Sequence, residues 1–277
     1  MKRLACLVIG MFMALGTGAN AAPDGPVARI AFLSDTHVNF QTNGPGLAYN
    51  PRVDAAIAAV NAAKVDLVLI AGDLTNNGET RQMALFKKKV KQIKAPVIFI
   101  PGNHDVGHAG SPDKPRTITP ERVRQFSRQL GPNYFVREKT GVRVIGINSC
   151  LFGTGFPEEE AQWKFLEKQL VQRHSKPTLL LEHYPLFLKA ADEPANDIWN
   201  VAPEPRKRMI ALLKQGAVKT VLSGHLHRPI INRLDGILFL SDGAMAFGLP
   251  RGKQAAGWML LTVPRDGEVQ FEFEKVE

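Results

Sequence analysis

Five short segments of the chain place metal-binding side chains directly after runs of apolar residues. These segments are Asp35-Thr36-His37, Gly72-Asp73, Gly102-Asn103-His104-Asp105, Glu182-His183 and Gly224-His225-Leu226-His227. The chain has seven histidines, and five of them lie in these segments. Histidine, aspartate and asparagine brought together are suitable ligands for a pair of divalent metal ions. The segments therefore predict a site that holds two metals.

Each segment follows a run of residues that is typical of a buried strand. The predicted strands are Ala28–Ser34, Asp66–Ala71, Val97–Pro101, Thr178–Leu181 and Val218–Ser223. Helical patterns over Pro51–Lys64 and Glu79–Lys94 separate the first three strands, and this βαβαβ order favours a parallel sheet. Residues just past the carboxyl ends of neighbouring parallel strands meet in one crevice, so the five segments are expected to converge.

The rest of the chain continues the alternation of helices and strands. A Gly- and Pro-rich loop is predicted over His108–Thr119. A hairpin is predicted at Thr140-Gly141, and no linker separates two domains. The remaining predicted elements are helices Pro120–Leu130, Pro157–His174 and Arg206–Gln215, and strands Tyr134–Glu138, Val142–Asn148, Ile237–Ser241, Trp258–Val263 and Val269–Glu274.

The overall charge does not indicate a nucleic-acid-binding module. The chain of 277 residues carries a formal net charge of +9, but its lysines and arginines are scattered. The densest basic run, Lys87-Lys88-Lys89, falls in a predicted helix and is typical of a solvated helix face. A mildly positive surface would also attract a phosphorylated anion.

The amino terminus predicts export from the cytoplasm. Lys2 and Arg3 precede a short apolar run, Leu4 to Leu15, and Ala19-Asn20-Ala21 matches a signal-peptide cleavage site. We therefore expect a signal peptide over residues 1–21 and one mature domain over residues 22–277, located in a bacterial periplasm or secreted. No later stretch is apolar enough to cross a bilayer. Cleavage would leave Cys150 as the single cysteine and exclude an internal disulfide.

The five segments, in this order, resemble the motif series of the calcineurin-like metallophosphoesterase family. That series runs D-x-H, G-D, G-N-H-D/E, a single histidine and G-H-x-H. The resemblance implies an α/β fold of four layers, α/β/β/α, in which helices flank two mixed sheets. The stretch His183-Tyr184-Pro185-Leu186-Phe187-Leu188 is also similar to the family branch that contains a serine/threonine phosphatase with this domain.

The resemblance also implies a role for each site residue. The ligands of one metal would be Asp35, His37 and His227, and those of the second would be Asn103, His183 and His225. Asp73 would bridge both metals. His104 would face the phosphoryl group as a catalytic residue rather than a ligand, held in place by Asp105. Many family members have an aspartate where this chain has Asn76, which makes the metal preference uncertain but leaves the ligand set complete.

The predicted function is hydrolysis of phosphoric esters by metal-bound hydroxide. The cofactors would be two divalent or mixed-valence ions, and histidine ligands favour Fe, Mn, Zn, Co or Ni over Mg and Ca. The substrate would be a phosphorylated small molecule or a phosphoprotein, with phosphomonoesters preferred. One alternative is a phosphodiesterase acting on cyclic nucleotides, glycerophosphodiesters or nucleotide-sugars. Another is a non-catalytic metal-dependent binding protein. The sequence does not predict the oligomeric state.

Overall fold

The computed structural model describes residues 25–109, 116–172, 174–195, 199–266 and 268–276. The predicted signal peptide, residues 1–21, lies outside these ranges, as does part of the predicted loop over His108–Thr119. No helix within the described ranges combines the length and the apolar composition that crossing a membrane requires.

The first sheet contains five strands and combines parallel with antiparallel neighbours. Its spatial order is β11 (Gln270–Lys275), β10 (Gly257–Val263), β1 (Ala28–Leu33), β2 (Leu67–Ala71) and β3 (Val97–Ile100). Strands β1, β2 and β3 are parallel, whereas β10 is antiparallel to both β1 and β11. The connecting helices are α1 (Tyr49–Ala62) and α2 (Thr80–Val90). This confirms the predicted parallel βαβαβ unit.

The second sheet contains six strands and is also mixed. Its spatial order is β4 (Phe135–Lys139), β5 (Val142–Gly146), β6 (Thr178–Leu181), β7 (Thr220–Ser223), β9 (Ile237–Ser241) and β8 (Ile230–Leu234). Strands β5, β6, β7 and β9 are parallel, and antiparallel strands β4 and β8 lie at the two edges. The predicted hairpin joins β4 to β5 through Thr140 and Gly141, which both have positive φ.

The other helices are the short α3 (Asn103–Val106), α4 (Pro120–Gln129), α5 (Pro157–Leu170) and α6 (Pro203–Gln215). Proline begins each of the last three helices, where its fixed φ suits the first turn and its missing N–H is not needed. The Oγ1 of Thr119 caps α4 by accepting a hydrogen bond of 3.2 Å from the backbone N–H of Arg122.

Alternating strand residues divide the core into layers. In β1, Ile30 and Phe32 belong to a cluster built from both sheets, whereas Ala31 and Leu33 belong to the cluster that includes helix residues. The second sheet contributes to the inner cluster in the same way through Val144, Leu179, Leu181, Leu222, Leu238 and Leu240. Because successive strand side chains point to opposite faces, the sheets pack on each other and the helices cover their outer faces. The predicted sandwich of two mixed sheets flanked by helices is confirmed.

Two local elements differ from the sequence prediction. Strand β8 was not predicted, because only every second residue of Ile230–Leu234 is half-buried and the strand lies at the sheet edge. The following Asp235-Gly236 pair, with φ of 50° and 72°, is a hairpin signal that identifies this strand. Helix α3 was also not predicted, since four residues are too few to show a helical period.

Candidate metal centre

The five predicted segments meet where the two sheets present the carboxyl ends of their parallel strands. Asp35 and Asp73 follow β1 and β2, and the backbone N–H of Asp35 donates to the Gly72 carbonyl at 3.0 Å. From the second sheet, the backbone N–H of Gly224 donates to the His183 carbonyl at 3.1 Å. The backbone N–H of His225 joins the two sheets by donating to Oδ2 of Asp35 at 2.9 Å. The predicted convergence is therefore present.

One group of donor atoms combines Asp35, His37, Asp73 and His227, all of them buried. The Nε2 of His37 lies 3.2 Å from the Nε2 of His227 and 3.8 Å from Oδ1 of Asp35. The same nitrogen lies 3.7 Å from Oδ2 of Asp73. Asp35 Oδ1 lies 3.2 Å from the Nε2 of His227. These are the residues predicted for the first metal, together with the bridging carboxylate.

A second group combines Asp73 with His183 and His225, and Asn103 lies beside it. The Nε2 of His183 lies 3.4 Å from Oδ1 of Asp73 and 2.9 Å from Oδ1 of Asn103. The ring of His225 packs against those of His183 and Tyr184, with centroid distances of 5.0 and 4.4 Å. Asp73 thus offers one oxygen to each group, which is the arrangement of a bridging ligand.

Backbone hydrogen-bond acceptors fix the orientation of two of these imidazole rings. The Nδ1 of His183 lies 2.7 Å from the Ala71 carbonyl, and the Nδ1 of His227 lies 2.8 Å from the Phe247 carbonyl. A carbonyl can only accept, so each Nδ1 carries a hydrogen and each Nε2 is the ring nitrogen directed into the centre. This is the usual orienting contact of metal-ligating histidines.

Many of the ligand residues have an uncommon backbone conformation. A positive φ occurs at Asp35, His37, Asp73, His225 and His227, with values between 44° and 72°. Non-glycine residues rarely adopt this conformation, and it persists only where the surrounding structure enforces it, most often at functional sites. The sharp turn after each strand points the side chain back towards the shared crevice.

Glycine is required at two positions beside the centre. Gly72 has a φ of 80°, and a Cβ there would lie 2.7 Å from the Nδ1 of His183. A Cβ on Gly102 would lie 2.1 Å from the backbone nitrogen of Asp73. These contacts are too short for any side chain, so the two glycines allow the loops after β2 and β3 to approach each other.

Charge coupling shifts the protonation of the ligands. Burial alone would raise the pKa of Asp73, but His183, His104 and His37 together outweigh burial and hold that pKa well below its usual value. The same balance, with His227 as the partner, lowers the pKa of Asp35. Burial would lower the pKa of His183, yet the Asp73 carboxylate raises it to about 9. In the metal-free protein, the proton on His183 therefore supplies part of the positive charge that a bound metal ion would supply.

The donor set fits two transition-metal ions. Metal–ligand bonds of about 2.0–2.2 Å place neighbouring donors roughly 3–3.5 Å apart, and the closest pairs here are separated by 2.9–3.4 Å. The buried Oδ1 of Asp35 has no hydrogen-bond partner among the described residues. A cation between Asp35 and His227 would bind this oxygen together with the Nε2 of His227, which lies 3.2 Å from it.

His104 lies at the edge of the centre with its side chain partly accessible. Its backbone N–H donates to Oδ1 of Asp73 at 2.7 Å, and its Nε2 lies 3.9 Å from Oδ2 of Asp73. Its Nδ1 lies 2.8 Å from the carbonyl oxygen of Asn76. The side chain is 23% exposed, whereas those of Asp73, His37 and His183 are at most 1% exposed. Of these histidines, His104 is the one that a ligand entering from solvent would reach.

The role expected for Asp105 needs correction. Its carboxylate accepts hydrogen bonds from the backbone N–H groups of Leu74, Thr75 and Gly102 at 2.9–3.0 Å, and from the Thr75 hydroxyl at 2.6 Å. The ring of His104 is held by the Asn76 carbonyl instead. Asp105 is therefore a positioning residue that ties the loop after β3 to the loop carrying Asp73. Burial and the charge of Asp73 raise its pKa to about 6.

Sequence reasoning missed several contributors to the centre. The carbonyls of Ala71, Asn76 and Phe247 orient histidines, and a backbone acceptor leaves no signal in residue type. Asp242 is fully buried, and burial together with the charge of Asp35 raises its pKa well above the usual value. Its position directly after β9 is the same strand-end signal that identified the ligands.

The model of the calcineurin-like phosphoesterase family matches residues 28–229, which is more than half of the chain. The chain belongs to this family. It is 32% identical over 207 residues to the serine/threonine-protein phosphatase CPPED1 of Danio rerio, and this alignment covers 69% of the chain and 63% of the relative. The predicted family and branch are both confirmed, and the chain spans about six-tenths of the length of that relative.

A second curated relative has a different name. The chain is 34% identical over 208 residues to the probable glycerophosphodiester phosphodiesterase GpdQ of Arcobacter nitrofigilis, an alignment that covers 71% of the chain and 70% of the relative. Among solved structures, a dimetal phosphatase from Danio rerio superposes with a TM-score of 0.60 at 11% identity, covering 90% of this chain and 96% of that one. The structural likeness supports the fold of the family.

The proton held at the centre predicts that metal affinity depends on pH. The pKa of His183 is raised to about 9, so this ring is protonated in the metal-free protein at neutral pH. Metal binding must release this proton. Affinity for Mn²⁺ should therefore rise between pH 6 and 8, by about tenfold per pH unit for each proton released. Calorimetric titrations in buffers of different ionisation enthalpy measure both quantities, and a pH-independent affinity would contradict this assignment.

Proposed function

We propose that this chain is a phosphoric-ester hydrolase with two metal ions and a preference for phosphomonoesters. The observation that carries the proposal is the Asp73 carboxylate, which is shared by two buried groups of histidines beside the partly exposed His104. A relative named as a serine/threonine-protein phosphatase supports the monoester preference. The substrate would be a phosphorylated small molecule or a phosphoprotein.

The residues divide into holding and reacting groups. Asp35, His37 and His227 would hold one metal, and Asn103, His183 and His225 the other, with Asp73 between them. When bound, such a metal pair lowers the pKa of water and stabilises charge on phosphoryl oxygens. The histidine-rich donor set favours Fe, Mn, Zn, Co or Ni.

His104 is the residue that would manage a proton at the leaving group. Its Nδ1 is committed to the Asn76 carbonyl, so the Nε2 is the atom that faces a substrate. A protonated Nε2 donates to the leaving oxygen as the ester bond breaks, which is general acid catalysis. Asp105 contributes indirectly, because it fixes the loop on which the backbone N–H of His104 reaches Asp73.

A phosphodiesterase is the second candidate, and a specific observation favours it. The relative named as a probable glycerophosphodiester phosphodiesterase matches a larger share of both chains than the phosphatase of Danio rerio does. The same metal ligands serve either ester, so the metal centre alone does not separate the two activities. A non-catalytic metal-dependent binding protein is a weaker alternative, because it would require the loss of a metal ligand or of His104, and the sequence retains each of them.

A kinetic comparison tests the proposed function. Protein reconstituted with Mn, Fe, Co, Ni or Zn should hydrolyse 4-nitrophenyl phosphate with a higher kcat/KM than methyl 4-nitrophenyl phosphate, because the monoester presents one more charged oxygen to the centre. Chelator-treated protein is the control and should be inactive. A higher kcat/KM for the diester would establish the second candidate. Hydrolysis of neither ester with any of the five metals would reject both activities.

Replacing His104 separates catalysis from metal binding. We expect His104→Ala to retain two metals and to lose about 10²- to 10⁴-fold in turnover of an alkyl phosphate, the usual scale for general acid catalysis. The loss should be smaller for 4-nitrophenyl phosphate, whose leaving group needs no proton. His225→Ala is the contrasting variant and should lose bound metal as well as activity. If elemental analysis shows that His104→Ala also loses a metal, His104 is a ligand.

Export of the mature chain is a separate part of the proposal. It rests on Lys2, Arg3, the apolar run that follows them and the Ala19-Asn20-Ala21 site. Expression in a bacterial host should yield periplasmic protein whose mass corresponds to a chain beginning at Ala22. A matched variant with Ala21→Arg, which blocks the small-residue cleavage site, should keep the leader. Recovery of soluble exported protein that retains Met1 would contradict cleavage.

A further inference from the structure

The guanidinium of Arg116 lies against the ring of His104 at the accessible side of the metal centre. Its Nη1 is 3.0 Å from Nδ1 and 3.3 Å from Nε2 of that ring. These nearly equal distances place the guanidinium nitrogen over the face of the ring, while Nδ1 donates its hydrogen to the Asn76 carbonyl and Nε2 stays directed to the substrate side. The Nη2 of Arg116 donates to Oδ1 of Asn77 at 3.3 Å. The cation is thus held beside the one atom of His104 that faces a substrate.

The backbone around Arg116 is built to keep it there. The backbone N–H of His108 donates to the Arg116 carbonyl, and that of Ile118 donates to the His108 carbonyl, both at 3.0 Å. Arg116 itself has a φ of 70°, a conformation that arginine rarely adopts without being held in it. Gly107 has a φ of 95°, and a Cβ there would lie 2.5 Å from the backbone nitrogen of Ile118. The backbone at Gly107 and His108 is therefore closely paired with the backbone from Arg116 to Ile118.

A second arginine adds positive charge on the same side. The Nη2 of Arg122 donates to the Asn77 carbonyl at 3.3 Å, so both guanidinium groups contact Asn77. Burial lowers the pKa of Arg122, and the neighbouring charge of Arg116 lowers it further. Within the described ranges, the buried Nε of Arg122 has no hydrogen-bond partner. Two repelling cations held together beside a metal centre favour binding of an anion at this position.

We propose that Arg116 is a specificity residue that binds the third non-bridging phosphoryl oxygen of a phosphomonoester. This inference rests on the proposed phosphoric-ester hydrolysis. A monoester has three non-bridging oxygens, and a diester has two because its third position carries an organic group. When bound, the metal pair would hold two of these oxygens. The third oxygen, with the second negative charge of the monoester, meets Arg116 beside His104.

This contact distinguishes the two ester classes at the metal centre that they share. A guanidinium forms strong charge-assisted hydrogen bonds with phosphate oxygens, and removal of such a bond costs about 10- to 100-fold in binding or rate. A diester has no charged oxygen at that position, so it gains little from Arg116. The loop that holds Arg116 therefore biases the common family site towards monoesters.

The test compares Arg116→Ala with the wild-type protein on two esters that share a leaving group, in the metal-loaded full chain. For 4-nitrophenyl phosphate, kcat/KM should fall about 10- to 100-fold, and for methyl 4-nitrophenyl phosphate less than about threefold. Arg116→Lys should recover part of the monoester rate, because it keeps the charge but not the planar donor pair. Elemental analysis should show unchanged metal content.

The control variant is Arg124→Ala on helix α4. Arg124 is 51% exposed and pairs with Glu121 at 2.9 Å, so its removal should change neither kcat/KM. Equal losses for the two esters in Arg116→Ala would overturn the proposal, because Arg116 would then act by supporting His104. An unchanged monoester rate would overturn it as well.

Binding of inorganic phosphate provides a readout that is independent of turnover. Calorimetry on the metal-loaded protein should show that Arg116→Ala binds phosphate about 10- to 100-fold more weakly than wild type does. Equal affinity would overturn the assignment of Arg116. If the wild-type protein hydrolyses neither ester, the proposed function fails. The phosphate titration would still decide whether Arg116 binds a phosphoryl anion.

Discussion

The Asp73 carboxylate lies between two groups of buried histidines, and it joins the strand ends of the two sheets. Its Oδ2 lies 3.7 Å from His37 on the first sheet, and its Oδ1 lies 3.4 Å from His183 on the second. A carboxylate that is only 1% exposed is strongly destabilising unless cations or hydrogen bonds compensate it. The histidines that compensate this charge come from both sheets. Protonation or metal binding at the centre is therefore linked to the relative position of the two sheets.

The backbone around the centre is strained in a way that only a rigid scaffold supports. Five of the ligand residues have positive φ, and each follows a strand that is paired on both sides. The apolar packing inside and outside the two sheets stabilises the fold and offsets the conformational cost of these turns. Asp105 links the strained turns directly, because its carboxylate binds the backbone of the Asp73 loop and that of Gly102. Positioning, rather than contact with a substrate, explains why a buried acid is placed beside the exposed His104.

The centre determines the class of chemistry, and its surroundings determine the substrate. The family model covers every predicted ligand, and relatives of this chain are named as a phosphatase and as a probable phosphodiesterase. Under the proposed function, selection between esters falls to residues outside the ligand set, such as Arg116. Trp199, Leu226 and Leu249, together with Arg228, line a cavity of about 370 Å³ whose wall includes the turn between His225 and His227.

The sequence by itself determined the sandwich of two mixed sheets and the meeting of the five strand-end segments. Those predictions succeed because strand patterns and strand-end motifs are local, and the parallel arrangement forces the strand ends to meet. Edge strand β8 was missed although Asp235-Gly236 marks its hairpin, since a half-buried edge shows only a weak pattern. The partner of Asp105, the acceptor for His104 and the place of Arg116 were decided only by the tertiary structure. Each depends on a contact between loops more than ten residues apart or on a backbone carbonyl, and neither is encoded in the type or spacing of neighbouring residues.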